Sequence, residues 1–171
     1  MGDAGMPLLE VTNLTVSFDL DEGVLKAVDD VSFTVAKKEV LGLVGESGCG
    51  KSVTAQSILG LVPKPGRIGG SIIHHGPDVV DIARLDPKGR EINSIRGGQI
   101  SMIFQEPMTS FSPHYTIGNQ ISETITLHTN RSEGEARRWT VELLRRVGIA
   151  NPEQRVDAFP HELSGGMRQR A

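Results

Sequence analysis

Gly45-Glu46-Ser47-Gly48-Cys49-Gly50-Lys51-Ser52 is the stretch on which the reading of this chain turns. Two glycines bracket four residues, and a lysine and a hydroxyl follow. Upstream lies Val40-Leu41-Gly42-Leu43-Val44, a short apolar run expected to form a strand buried on both faces. Downstream, Val53, Ala55, Ile58, Leu59 and Leu61 give helical spacing over Lys51 to Leu61, ended by Pro63 and Pro65. Strand, glycine-rich turn and helix form the context in which this pattern cradles phosphate. The glycines let the backbone curl so that several N–H groups converge on phosphate oxygens, and the helix aims its positive end at the same point. Lys51 then reaches the β- and γ-phosphates, and the Ser52 hydroxyl takes one position on Mg²⁺. A random chain of this length matches the bare pattern roughly once in a few hundred. The nucleotide-binding candidates are Gly45, Glu46, Ser47, Gly48, Cys49, Gly50, Lys51, Ser52 and Val53. Cys49 reads as a small filler within the loop.

Bulk properties narrow the class. The chain has 171 residues, the length of one ordinary domain or most of one, and a formal charge of -3. Aromatic residues make up 4%, which with the acidic balance argues against a nucleic-acid reader built from a basic face and stacking rings. The single cysteine excludes an internal disulfide, and no Cys/His spacing suggests zinc. No run approaches the roughly 20 apolar residues needed to cross a bilayer. Work at a membrane would therefore need another chain as the anchor.

Along the chain, Leu8 to Phe18 and Val24 to Val35 alternate as two strands and predict an antiparallel hairpin around Asp19 to Gly23. Ile68 to His75 predicts a further strand, Pro87 to Ile95 a short helix, and Ile100 to Phe104 a second buried strand. After Pro107 the pattern turns helical. Ile117, Ile121, Ile125 and Leu127 mark one helix over Thr116 to His128. Ser132 with Glu135 forms a capping box before a second, closed by Gly148. His74, His75 and His128 read as packed or solvated.

Leu163-Ser164-Gly165-Gly166-Met167-Arg168-Gln169-Arg170 is the second informative string. By itself it is a helix start with Ser164 as the cap. Together with the phosphate loop, the Met102-Ile103-Phe104-Gln105-Glu106-Pro107-Met108-Thr109-Ser110 segment and the Phe159-Pro160-His161-Glu162 lead-in, the chain resembles the nucleotide-binding subunits of ABC transporters. More narrowly, it resembles the oligopeptide/dipeptide (and nickel) permease ATPases. The stretch Gln105 to Ser110, and Met167 where most transporters have Gln, favour that branch.

The resemblance implies an α/β P-loop NTPase of ABC ATPase type. Residues of about 8–107 would form an antiparallel β part and P-loop core, and about 108–171 a helical subdomain. ATP and Mg²⁺ are the implied ligands. Gln105 would meet the metal or the attacking water, so Lys51 and Gln105 are the implied catalytic residues and Ser52 and Gln105 the metal contacts. Leu163, Ser164, Gly165, Gly166 and Met167 would contact nucleotide bound by a second ATPase subunit, a copy or a paralogue. Phe18 is the candidate for stacking on adenine, with a core role equally open, and Tyr115 is a lesser interface candidate. Met108 to Ile121 would meet a membrane permease subunit, which places the protein at the cytoplasmic face of the membrane. A solute-binding protein would be an indirect partner. The family pattern continues with a strand ending in Asp-Glu, so Ala171 is expected to fall inside a longer protein. The core would then be incomplete, and apolar edges at Val40 to Val44 and Ile100 to Phe104 would be an aggregation hazard. A soluble ABC-type ATPase acting on nucleic acid or ribosomes, or a non-catalytic nucleotide-binding piece, are the other readings.

Overall fold

The computed structural model describes residues 7–105 and 110–171. The chain divides into two compact units, Met1–Ser101 and Met102–Ala171, each around its own cluster of buried side chains.

In the first unit, β1 (Pro7–Leu20), β2 (Gly23–Ala36), β3 (Gly66–His75) and β4 (Val79–Asp81) form an antiparallel sheet in the order β2-β1-β3-β4. The expected hairpin is there: Leu20 pairs with Gly23 across Asp21 and Glu22. Val11 and Leu14 of β1 are both buried although they lie three residues apart. Strict alternation would send one of them to solvent. The register shifts between them instead, at Asn13, whose φ of 48 mirrors the φ of 53 at Asp30. Asn13 Nδ2 donates to Asp30 Oδ1 at 2.6 Å, and its N–H donates to Ser32 Oγ at 2.8 Å. This bulge inverts the alternation, so Val11, Leu14 and Val16 share one face with Val28 and Ile72. Ile92 and Ile95 of α2 (Arg90–Ile95) and Ile82 complete that core.

The helix after the glycine-rich turn, α1 (Lys51–Ile58), stops short of the expected Leu61. Arg96 explains the stop. Its Nε and Nη2 donate to the carbonyls of Leu59 and Gly60, each at 2.9 Å, and its cation sits at the negative end of the helix. Thr54 and Ser57 are the buried positions of α1, and each hydroxyl is satisfied by a carbonyl four residues back.

Two expectations fail. Val40 to Val44 and Ile100 to Phe104 are not strands. Val40 is 96% exposed, Val44 91% and Ile103 91%. The one pairing there is a single parallel bridge between Arg96 and Ile100. A doubly buried strand needs neighbours on both edges and covering layers on both faces, and none of the described residues supplies them. Apolar patterning alone cannot create that burial.

The second unit holds α3 (Ile117–His128), α4 (Glu133–Arg146), α5 (Pro152–Arg155) and α6 (Gly165–Arg170). The α3 N-terminus is closed in two ways. Thr116 Oγ1 accepts from Asn119 N–H at 3.2 Å, and the N–H groups of Ile117 and Gly118 donate to the carbonyls of Ala158 and Val156 at 2.9 and 2.7 Å. A Cβ on residue 118 would collide with that Val156 oxygen, so glycine permits the approach. The expected capping box starts α4, with Ser132 N–H donating to Glu135 Oε2 at 2.9 Å. Ile117, Leu144, Ile149, Val156, Ala158 and Leu163 form the core. Between α3 and α4 the buried Thr140 hydroxyl meets Ser122 Oγ at 2.9 Å.

Candidate functional site

Residues 45–52 form an exposed turn that leads into α1. Gly48 and Gly50 have φ of 83 and 92, values that L side chains adopt only with strain. Gly50 carries a second demand, because a Cβ there would overlap the Ala27 carbonyl oxygen of β2. The turn is thus seated on the hairpin by close backbone contact. No side chain caps α1 at Gly50, and the first helix N–H bonded back is that of Thr54, to Gly50 O at 2.8 Å. The N–H groups of Lys51, Ser52 and Val53 precede that bond and point out of the helix end, as the first N–H groups of any helix do. The Lys51 ammonium turns into the loop and donates to the carbonyls of Gly45 at 2.7 Å and Glu46 at 2.6 Å, with Cys49 Sγ at 3.5 Å. Cationic nitrogen, outward N–H groups and a helix N-terminus therefore lie together at one exposed turn, whose chemistry suits a polyphosphate.

For a divalent cation the exposed start of α1 offers one side-chain oxygen, that of Ser52. Among the described residues no group of three or more His, Cys, Asp or Glu gathers to hold one. Mg²⁺ commonly takes one or two protein oxygens and draws the rest from phosphate and water. The exposed Ser52 hydroxyl beside Lys51 meets that requirement.

The other candidates lie elsewhere. Phe18 sits on β1 opposite Leu25 and Gly66, half-buried against the sheet core. Its ring edge lies so close to Gly66 that a Cβ there would come within 2.8 Å of Cε1. Gln105 is exposed and belongs to the second unit, at the edge of the described segment; Glu106 to Thr109 lie outside the described residues.

The second string is also in the second unit. Leu163 is buried in the helical core, and Met167 packs against it. Ser164 caps α6 by accepting from Met167 N–H at 3.3 Å. Gly165 and Gly166 are exposed, and a Cβ on Gly166 would meet nothing within 4 Å. Among the described residues, no contact requires glycine at residue 166. Arg170 ties α6 to the end of α4, donating to the carbonyls of Val147 at 3.3 Å and Gly148 at 2.7 Å. The structure thus forms the glycine-rich turn inside one unit and the Leu163–Met167 turn inside the other. Sequence patterning missed Arg96 and Arg170, whose roles depend on which carbonyls the fold leaves open, and Gln120, whose amide grips the loop just before its own helix.

Comparisons with known proteins identify the family. The family model of the ABC transporter matches residues 28–171. The "Probable peptide ABC transporter ATP-binding protein" of Sinorhizobium fredii is 48% identical over 96% of this chain and 48% of its own length. The oligopeptide transport ATP-binding protein OppD of Salmonella typhimurium is 45% identical over 95% of this chain and 47% of its own. The dipeptide transport ATP-binding protein DppD of Haemophilus influenzae is 44% identical over 96% of this chain and 49% of its own. The chain therefore spans about half the length of the curated relatives it matches. Among solved structures, the dimeric bacterial ABC transporter cassette MJ0796 superposes with a TM-score of 0.77 at 22% identity, covering 95% of this chain and 66% of that one. With the glycine-rich turn seated on an antiparallel sheet and the capped Leu163–Met167 turn in a helical unit, the chain belongs to the ABC transporter family.

Proposed function

We propose that this chain is the nucleotide-binding part of the ATPase subunit of an importer for peptides or a related solute. The observation that carries the reading is the Lys51 ammonium inside the Gly45–Ser52 turn, 2.6 Å from the Glu46 carbonyl, at the open start of α1. Lys51 exchanges those carbonyls for the β- and γ-phosphate oxygens of ATP. The N–H groups from Gly48 to Val53 take the remaining phosphate oxygens. Mg²⁺, when bound, spreads the charge that builds on the phosphates during cleavage. Ser52 would hold the metal, and Gln105 would meet the metal or the attacking water. Phe18 stacks on the adenine.

Leu163, Ser164, Gly165, Gly166 and Met167 face the nucleotide of a second ATPase subunit, so each site needs two subunits. The open space at Gly166 and the exposure of Gly165 support that role. Among the described residues no helix is long and apolar enough to cross a membrane. Membrane permease subunits would hold the protein at the cytoplasmic face, and a solute-binding protein would act through them. In this reading residues of about 8–107 carry the loop and residues of about 108–171 carry the contact to the second subunit and the permease.

Lys51→Ala in the full-length protein tests the assignment, with labelled ATP as the probe. Removing the ammonium should cut affinity and turnover by about a hundredfold or more, because a charge-assisted contact to phosphate is lost in each state. Unchanged affinity and turnover would end the reading.

A further inference from the structure

The Arg96 guanidinium makes four hydrogen bonds, all to neutral oxygens. Its Nε and Nη2 donate to the carbonyls of Leu59 and Gly60, just past the end of α1. Its Nη1 donates to the Pro87 carbonyl at 2.9 Å and to Asn93 Oδ1 at 3.3 Å. The planar fork matches two successive carbonyls, and the other two bonds hold the fork itself in place. The backbone that carries it is equally fixed. Ile92 and Ile95 are core residues, and Arg96 N–H donates to the Ile92 carbonyl at 3.0 Å. Arg96 thus joins the sheet core to the far end of the helix that follows the glycine-rich turn.

Little else holds α1. Of its eight residues only Thr54 and Ser57 are buried, and their hydroxyls bond to Gly50 and Val53, the helix's own backbone. Val53 is its one apolar residue packed against the sheet core. The helix is therefore set at two points: Gly50 presses on the Ala27 carbonyl at the start, and Arg96 grips two carbonyls at the end. Eight residues at about 1.5 Å each span roughly 12 Å. With the start held and the end released, a swing of about 5° moves the far end by about 1 Å over that length. It turns the outward N–H groups of Lys51, Ser52 and Val53 through the same angle.

We propose that Arg96 is a positioning residue for phosphoryl transfer: its fork fixes the far end of α1, and through that helix the aim of the Lys51, Ser52 and Val53 N–H groups and the Ser52 hydroxyl. This rests on the ATPase reading above and adds to it a residue that touches neither nucleotide nor metal. Lys51 lies beside the pivot at Gly50, so ATP binding survives loss of the fork. Turnover is more exacting, because small errors in the placement of reacting groups cost more in rate than in affinity. Charge alone does not suffice. A lysine would keep a favourable cation at the helix end, but its single ammonium on a flexible stem cannot lock two successive carbonyls in one plane.

The test uses the full-length protein with its second ATPase subunit and reads ATP affinity, the number of ATP sites per chain, and kcat. Arg96→Lys should lower kcat about tenfold or more, with ATP affinity within about threefold of wild type and the site count unchanged. Arg96→Ala should lose at least as much. Guanidinium ion, added at concentrations too low to unfold proteins, should restore part of the Arg96→Ala kcat by filling the vacated fork. A role in stability alone gives another pattern: ATP sites lost in proportion to kcat, and no recovery with guanidinium. That pattern, a wild-type kcat in Arg96→Lys, or affinity falling as far as kcat would each overturn the proposal. If Arg96→Ala does not fold, Arg96→Lys alone decides, by the loss in kcat set against the change in affinity. A wild-type protein that neither binds nor hydrolyses ATP removes the ATPase reading and this inference together. A wild type that turns over ATP beside an equally active Arg96→Lys removes this inference alone.

Discussion

Gly48 and Gly50 look equivalent in the sequence, and the structure separates them. Both adopt positive φ, but only at Gly50 does the backbone press against Ala27. Gly48→Ala should therefore cost only the local strain of a side chain in the left-handed region, about 1–2 kcal/mol. Gly50→Ala adds a collision with a carbonyl that cannot move without shifting β2, and it should exceed that cost. It should also displace the loop and weaken ATP binding at least tenfold. Urea unfolding and labelled-nucleotide titration of both variants check this, and equal effects would contradict the seating on the hairpin. The loop itself was legible in eight consecutive residues, because its chemistry is local. The Ala27 contact was not, because it joins residues far apart in sequence. Gln120 stayed hidden although its partners lie within eight residues, because nothing in the sequence says which loop carbonyls a helix side chain will meet.

The strands and helices were read with uneven success, for a physical reason. The β1–β2 hairpin, the Ser132 capping box and α3 were legible because alternation, caps and helical spacing act over a few residues. Val40 to Val44 and Ile100 to Phe104 carry strand composition without strand partners, and a strand is defined by its pairing. The β1 bulge shows a subtler limit, since the change of face at Asn13 depends on Asp30 and Ser32 across the sheet. The end of β3 yields a pH prediction. His74 is buried with its Nδ1 unpartnered, and burial, followed by the neighbouring His75, holds it below the ordinary imidazole value. The unfolded chain then binds the proton more tightly than the folded one. Stability is complete above about pH 6.5 and declines as pH drops from there toward the lower folded value. His74→Gln removes the titrating group, so its urea midpoint should vary less between pH 7 and 5 than that of the wild type. An identical pH slope in the two proteins would show that His74 does not titrate in this way.

Taken whole, the chain shows two satisfied cores beside apolar segments left in water. Val40, Val44 and Ile103 are each more than nine-tenths exposed. A polypeptide of residues 1–171 should bind a hydrophobic dye such as ANS and self-associate as its concentration rises. Val44→Lys with Ile103→Lys should reduce both effects. In the full-length protein the same pair should lower stability, if these segments are there buried between neighbouring strands. Light scattering and dye fluorescence decide it, and a monomeric polypeptide without dye binding would refute it. In the helical unit the start of α3 rests on Val156 and Ala158 through two hydrogen bonds and a glycine. Only a few residues separate that contact from the Ser164 turn, and they pass through the buried Pro160 and Leu163. Widening residue 118 by a single methyl would then unfasten the start of α3 and the segment that leads into the Ser164 turn together, because both are pinned at that one glycine.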